Sequence, residues 1–388
     1  MHIAVLLTFE QSLSKWKKNG HFDREIFYYK NLYKKYNIKT TFISYGLNSE
    51  KKLISQYHYL NIIPIHEKLK FSNFFIIRFV KSFFLFFYIN KDLKNIDIIK
   101  SNQLWGTWTL FLFKFFTKKK ILIRCGYEPN QNLEYEKGKF FLKIFSKLCS
   151  FIIYQVSDHI IVTTLDIKNY IEKTFKVKKK ITIIPNYIDV LKFKPTNIKQ
   201  YNNKILFVGR NSREKNISFL LNAIKNLPIS LDILGSGFTR KNLIVLKKKY
   251  NISINYLGPT PNEKMPNVYN KYKLYISTSD YEGNPKSILE AMACGCIVIA
   301  RNVQGCNSVI TNGFNGFLVK NYLELRHIVK KNILKKNYKM KKNAIHFIQM
   351  KYNFNIISKK ETRVLKFVKN EKNNNNVISK KMWLNSYF

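Results

Sequence analysis

The chain has 388 residues, with 68 Lys+Arg against 23 Asp+Glu, a formal charge of +45 and a hydrophobic share of 46%. That length points to two domains, and the apolar share is ample for two cores. The charge attracts polyanions (nucleic acid, anionic lipid or nucleotide-linked substrates), but no zinc spacing, basic zipper or aromatic ribonucleoprotein motif supports a nucleic-acid module.

Part of the charge excess is compositional, because Lys, Asn, Ile, Phe and Tyr are crowded together. The cysteines Cys125, Cys149, Cys294, Cys296 and Cys306 show neither a disulfide framework nor a metal spacing. They read as small apolar fillers in a reducing compartment. The N-terminal run reads as a first strand over Ile3 to Leu7 rather than a signal peptide, lacking a basic lead and a cleavage site.

A lysine-rich loop reaches Gly20, a helix runs from Asp23 to Tyr36, and a strand follows over Thr40 to Tyr45. Strand, loop, helix, strand is the opening of a parallel α/β sheet, whose first loop lies at the ligand cleft. Residues 71–89 (FSNFFIIRFVKSFFLFFYI) reach membrane-span length but carry Arg78 and Lys81. Each would cost about 3 kcal/mol at a bilayer centre, which argues against a span. Arg78, Lys81 and Ser82 share one helical face. The pattern suits an interfacial helix on a membrane surface, or a core helix with a narrow wet stripe, and we read it as core. Along the run Phe140 to Tyr154, Lys139 just before it and Lys143 and Lys147 within it form a row at helical spacing. That row suits an anionic membrane surface or an ordinary solvated face.

Ile96 to Ile99 and Ile121 to Ile123 read as strands, the second leading into Arg124-Cys125-Gly126-Tyr127. At a strand's C-terminal end, Arg124 faces the cleft or serves a structural ion pair. His159 to Thr163 reads as a late strand with a packed histidine. Prolines and a polar stretch then place a boundary near residue 195. Alternation restarts with strands at 204–208, 231–234, 252–257, 274–278 and 296–300, and helices such as 218–226 and 240–250. This is a second parallel sheet. Gly209-Arg210 closes its first strand, five residues before Lys215, and Gly235-Ser236-Gly237 follows its second. A planar guanidinium and a point-charge ammonium suit two phosphate groups.

The organising stretch is Glu282-Gly283-Asn284-Pro285 and the helix after it, ending at Gly295. A strand feeding a helix through such a turn aims free N–H groups at one point and favours an anion. Ile288, Leu289 and Met292 form the apolar stripe, with Glu290 on its flank. A partly buried Glu290 needs hydrogen-bond donors, and sugar hydroxyls serve. Two solvated glutamates at a helix start are the plain alternative.

Glu282 and Glu290 match the E-x7-E signature of the retaining family 4 glycosyltransferases, and EGNPKSILEAMACG resembles that family's EG-x-P…LEAMA-x-G core. The resemblance extends to Gly305 and the 312–319 run, is strongest over 205–319, and takes in a PN-x-hydrophobic-D…F-x-P link at 185–195. It implies an α/β GT-B fold of two Rossmann-like parallel-sheet domains facing a cleft: 1–195 on the acceptor side, 196–352 for the nucleotide sugar, and 353–369 as a helix crossing back. Composition alone, polar and low in complexity, makes 370–388 a disordered polar tail.

It further implies that Arg210 and Lys215 grip the donor diphosphate, that Gly235 lets the nucleotide approach backbone, and that Gly20 approaches donor or acceptor. Glu290 would hold the ribose, and the N–H groups around Gly283, Asn284 and Ser287 would stabilise the leaving group. Glu282 would be the catalytic residue, placed against the donor sugar. The sequence departs from the family in having no histidine near Arg124 and in having Asn307-Ser308 where a glutamate is usual.

The expectation is a cytoplasmic enzyme that moves a sugar from a nucleotide diphosphate sugar to a glycan or lipid-linked acceptor in surface polysaccharide synthesis. It needs no cofactor and no metal, binds no nucleic acid, and has peripheral attachment to the inner face of the cell membrane as an option. A nucleotide-sugar epimerase, a non-catalytic partner of the same fold and a charge-driven nucleic-acid binder are the alternatives.

Overall fold

The structure, a computed structural model, describes residues 1–371 except 134–139, 178–179, 334 and 336. The first sheet has seven strands: β1 His2–Leu6, β2 Lys39–Ser44, β3 Leu60–Pro64, β4 Ile98–Ser101, β5 Lys120–Cys125, β6 His159–Val162 and β7 Ile181–Ile183. The second has six: β8 Tyr201–Val208, β9 Ser230–Leu234, β10 Ser253–Gly258, β11 Tyr272–Ser277, β12 Ile297–Arg301 and β13 Phe317–Val319. Their orders are β3-β2-β1-β4-β5-β6-β7 and β10-β9-β8-β11-β12-β13. Every pairing is parallel.

Strands buried on both faces need near-continuous apolar runs, which is why KILFV and YKLYIS serve as central strands. Ile3 and Val5 pack on one face with Tyr29, Leu32 and Phe42, while Ala4 and Leu6 serve the opposite face. β3, β7 and β13 escape a reading by apolar runs. β7 and β13 have three residues each, and β3 is an edge strand holding Asn61 and Pro64.

Strand order fixes where ligands can sit. It reverses at β1/β4 in one sheet and at β8/β11 in the other, and open α/β sheets bind ligands beyond such points. The loops after β1, β4, β8 and β11 therefore face each other across a cleft.

The last helix, Phe354–Asn370, packs on the first lobe. Phe354, Ile357, Leu365 and Val368 join the core that contains Ile3 and Val5. At the centre of this apolar stripe stands Glu361, 1% exposed. It pairs with the buried ammonium of Lys100 on β4, and Arg124 Nη1 lies 3.4 Å from its other oxygen. Burial pushes the Glu361 carboxyl up, but Lys100 and Arg124 together outweigh it and hold the group below its ordinary value.

The core reading of residues 71–89 is corrected. The segment forms helices Phe75–Phe83 and Leu85–Ile89. Leu85, Phe86 and Ile89 are buried, but Phe74, Phe75, Ile76, Val80 and Phe87 stand in solvent. The Arg78–Ser82 stripe, expected to be wet, is the inward one. Lys139 and the tail beyond residue 371 lie outside the described residues.

Removing one partner of a buried ion pair leaves an uncompensated charge, at a cost of about 3–5 kcal/mol. Glu361→Ala is expected to lose that much in denaturant unfolding. The apolar double replacement Lys100→Met/Glu361→Leu should recover part of it, the rest being lost with the Arg124 pairing. Equal stability of the single and double variants would contradict the pairing.

Candidate active site

The second lobe's half of the cleft is built on a strand-to-helix turn. β11 ends at Ser277, and the helix Lys286–Ala293 starts after Pro285. Gly295, at φ +79, stops it in a left-handed turn that favours glycine. The turn is stitched to the loop after β8. The Asp280 N–H donates to Glu214 O at 2.8 Å, and Thr278 Oγ1 donates to Lys215 O at 3.0 Å. These bonds bring Lys215 Nζ to 2.5 Å from Glu282 Oε1, which also accepts from Ser279 Oγ at 2.7 Å. Arg210 leaves the same loop with its side chain 73% exposed, 3.3 Å from Glu214. Below it, a Cβ on Gly235 would lie 2.0 Å from the Gly209 carbonyl, so only glycine fits there.

Glu290 points elsewhere. It is buried, and its two oxygens accept from Asn262 Nδ2 at 3.2 Å and Tyr269 OH at 3.1 Å. A carboxylate has further lone pairs for ligand hydroxyls. Burial raises its pKa, with Arg24 of the first lobe pulling the other way. Glu290 lines a cavity of about 220 Å³ with Arg24, Tyr187, Asp189, Lys192 and Asn262.

A second cavity, of about 260 Å³, lies between the lobes, and Arg24 lines it too. Four cations reach it, Arg24, Lys100, Arg124 and Lys286, against the carboxylates Glu25 and Glu361. Arg124 thus borders the cleft and is at the same time ion-paired to Glu361; its Nη2 donates to Asn186 Oδ1 at 3.4 Å. Lys286 crosses from the second lobe to Glu25 at 3.2 Å, and Arg24 holds the same oxygen at 3.1 Å. Burial pushes the Glu25 carboxyl up, but Lys286 and Arg24 overcome it and hold it at about 2. Burial and the Arg24 charge push the Lys286 ammonium down to about 8. His21, at the start of the helix Phe22–Tyr36, also lines this cavity. Burial, with Arg24, Lys286 and Arg210 nearby, brings its pKa to about 4, so it is neutral at pH 7.

The lobes meet at the turn itself. A Cβ on Gly283 would fall 2.1 Å from the Gly126 carbonyl, and the Tyr127 and Tyr281 rings lie 5.7 Å apart across the junction. Asn186 donates twice to Asn284. The Asn186 N–H donates to Asn284 Oδ1 at 2.9 Å, and Asn186 Nδ2 donates to Asn284 O at 2.6 Å. The Asn284 side chain therefore serves the inter-lobe link. Ser287 Oγ accepts from Tyr275 OH at 2.9 Å. Gly20, at φ +72, lies against the backbone of Thr260 and Pro261 across the rim and contributes to neither cavity.

The residues singled out from sequence are thus brought together in two groups. Lys215 and Glu282 touch, with Arg210 beside them, while Glu290 faces a cavity reached from the first lobe. Sequence reading missed Lys286, Glu25, Arg24 and His21. One signal was available: a lysine in the first turn of a helix opposes the macrodipole, so Lys286 needs an anionic partner or ligand. Among the described residues, no group of three His, Cys, Asp or Glu side chains is placed to hold a metal ion.

Residues 191–347 match the family described as glycosyl transferases group 1. An uncharacterized glycosyltransferase of Methanocaldococcus jannaschii is 28% identical over 327 residues, 78% of this chain and 81% of that protein. The O-antigen biosynthesis glycosyltransferase WbnH of Escherichia coli is 31% identical over 261 residues, 65% of this chain and 72% of that protein. Among solved structures, sucrose-phosphate synthase of Thermosynechococcus elongatus superposes with a TM-score of 0.79 at 16% identity, covering 95% of this chain and 99% of that one. Anabaena HepE in complex with UDP-glucose does so at 0.71 and 15%, covering 95% and 100%. At those identities the structures speak for the fold, which is that of the two-lobed GT-B enzymes.

The Gly283 contact yields a prediction. Gly283→Ala must separate the two backbones, and such overpacking costs about 1–3 kcal/mol. Small-angle scattering should show a larger radius of gyration, with the thermal midpoint lowered. An unchanged radius would refute the contact.

Proposed function

The chain belongs to the glycosyl transferases group 1 family and is a glycosyltransferase, and from that premise we propose that it is a retaining enzyme of surface-glycan synthesis. It would take a sugar from a nucleotide diphosphate sugar and pass it to a glycan or lipid-linked acceptor at the anionic inner face of the cell membrane, on the cytoplasmic side. The observation that carries this reading is the Lys215–Glu282 pair at the mouth of the turn, facing a lobe whose cleft is lined by cations.

In this reading the diphosphate competes for the Lys215 ammonium and is shared with Arg210, whose exposed fork reaches out from the same loop. The N–H groups at the start of the helix Lys286–Ala293 add donors that strengthen as the leaving charge develops. Held protein cations serve in place of a metal. Displaced from Lys215, Glu282 turns to the donor sugar and steadies its cationic transition state. Glu290 takes the ribose through its remaining lone pairs. The uridine nucleotide is the first donor to test, since HepE was solved with UDP-glucose. The Escherichia coli relative acts in O-antigen synthesis by its name, and that supports a surface-glycan acceptor.

A thermal-shift panel of nucleoside diphosphates and their sugars should pick out one base. With that donor, Glu282→Gln is expected to lower kcat by about 10²-fold or more without weakening nucleotide affinity, since the diphosphate then meets no competitor for Lys215. Unchanged turnover would overturn the assignment. Retention is read from the anomeric configuration of the product by NMR.

Lys286 adds a pH dependence. Its folded pKa lies below the ordinary lysine value, so its charge is present below pH 8 and lost above it. Nucleotide-sugar affinity should therefore fall as pH rises from 7 to 9, by up to about tenfold per unit beyond the midpoint. Lys286→Met should be weaker at pH 7 and flat across that range. A wild-type profile without the alkaline limb would remove Lys286 from donor binding.

A further inference from the structure

The helix Phe75–Phe83 is turned inside out. The Arg78 side chain is only 15% exposed; it pairs with Glu10 and donates to the Ser72 and Asn73 carbonyls at 2.7 and 2.9 Å. Ser82 is buried and accepts from Trp108 Nε1 at 2.9 Å. Phe79 and Phe83 pack inward, but Phe75, Ile76, Ile77 and Val80 face solvent. Ile76 is 73% exposed, with Phe74 and Val80 beside it.

Three more helices extend this face. Phe87 meets Phe116 at 5.9 Å, and Phe115 follows on the helix Leu110–Phe116. Phe79 and Phe83 meet Phe145 of the helix Phe140–Val156 at 5.4 and 6.5 Å, and on that helix Phe141 is 85% exposed. A contiguous aromatic surface of this kind marks an interaction site.

We propose that this face docks the enzyme on an anionic lipid bilayer, with Ile76, Phe115 and Phe141 entering the headgroup region and Lys143 and Lys147 meeting lipid phosphates. Charge selects the partner. The helices Phe75–Phe83, Leu85–Ile89, Leu110–Phe116 and Phe140–Val156 contain no Asp or Glu, and every charged residue on them is Arg or Lys. Protein interfaces also enrich aromatic residues but deplete lysine, whereas phenylalanine beside lysine fits a bilayer surface. Among the described residues no helix is long and apolar enough to cross a membrane, so contact is interfacial.

Position gives the docking a purpose. Phe75 and Phe79 pack on Phe9, and Arg78 holds Glu10, the residues just past β1 where the cleft opens. A membrane-borne acceptor would reach the cleft from this edge. That purpose rests on the lipid-linked acceptor proposed above, while the docking itself does not.

The test is cosedimentation of the full chain with vesicles of phosphatidylglycerol and phosphatidylcholine, one to three, and with phosphatidylcholine alone. The wild type should favour the anionic vesicles by about tenfold or more, with binding weakened by salt. The triple variant Ile76→Ser/Phe115→Ser/Phe141→Ser should lose about tenfold or more, keeping its thermal midpoint because all three side chains are exposed. Lys143→Glu/Lys147→Glu should lose the anionic preference, and this variant decides the matter if the triple variant fails to fold. No binding by the wild type, or equal binding by the variants, overturns the proposal. So does a lipid-free dimer that the triple variant abolishes, which would make the face a contact between copies. Sugar transfer to a short water-soluble acceptor separates the two readings. Transfer without vesicle binding sinks the docking alone, and vesicle binding without transfer sinks the transfer reading alone.

Discussion

The arrangement depends on one close approach of two backbones. Where Gly283 faces the Gly126 carbonyl there is no room for a single added carbon. One glycine leads into the helix of the second lobe; the other leaves the end of β5 in the first. Because the contact is main chain to main chain, the geometry between lobes is set by atoms that cannot change rotamer. The two hydrogen bonds that Asn186 donates to Asn284, the residue after Gly283, repeat the constraint. Lys286, at the start of the helix that follows this turn, is thus held against Glu25 of the first lobe.

Charge supplies the second constraint. A chain with so many cations has few carboxylates, and the cleft uses them as clamps. Glu25 holds Arg24 and Lys286, Glu361 holds Lys100 and Arg124, and Glu282 holds Lys215. Each carboxylate brings cations close without their mutual repulsion driving the side chains apart. Since most of these groups are paired one carboxylate to two cations, a net positive field is left in a partly dry cavity, where it acts more strongly on an anion than it would in water.

Much of this was legible in the chain. Buried parallel strands are continuous apolar runs, so β1, β8, β11 and β12 could be located by composition alone. The short or edge strands β3, β7 and β13 could not, because their pairing rather than their sequence makes them strands. In the site, Arg210, Lys215, Glu282 and Glu290 stood out through the resemblance of their local motifs to those of a known family, since spacing alone left two solvated glutamates as an equal reading. Lys286 and Glu25 are 261 positions apart, and no spacing rule reaches that far. Glu361 left a trace, as a carboxylate in the middle of an apolar helical stripe, but its partners on β4 and β5 are set by the fold. The helix Phe75–Phe83 misled because periodicity shows which residues share a face and not which face looks inward. The deciding fact was a carboxylate, Glu10, placed to receive Arg78.

The path of the chain between lobes carries a consequence for how this molecule can be divided. It crosses once near Ile188 and returns near Asn353, and the two crossings run side by side, with Ile188 N–H bonded to Tyr352 O at 2.7 Å and Phe354 N–H to Ile188 O at 3.0 Å. The first lobe's core is completed only by residues from Phe354 onward. Neither half of the gene therefore encodes a finished body. A polypeptide stopped at the first crossing would carry an apolar trench where the final helix belongs, whereas the second lobe could be lifted out between the two crossings as an insert within the first.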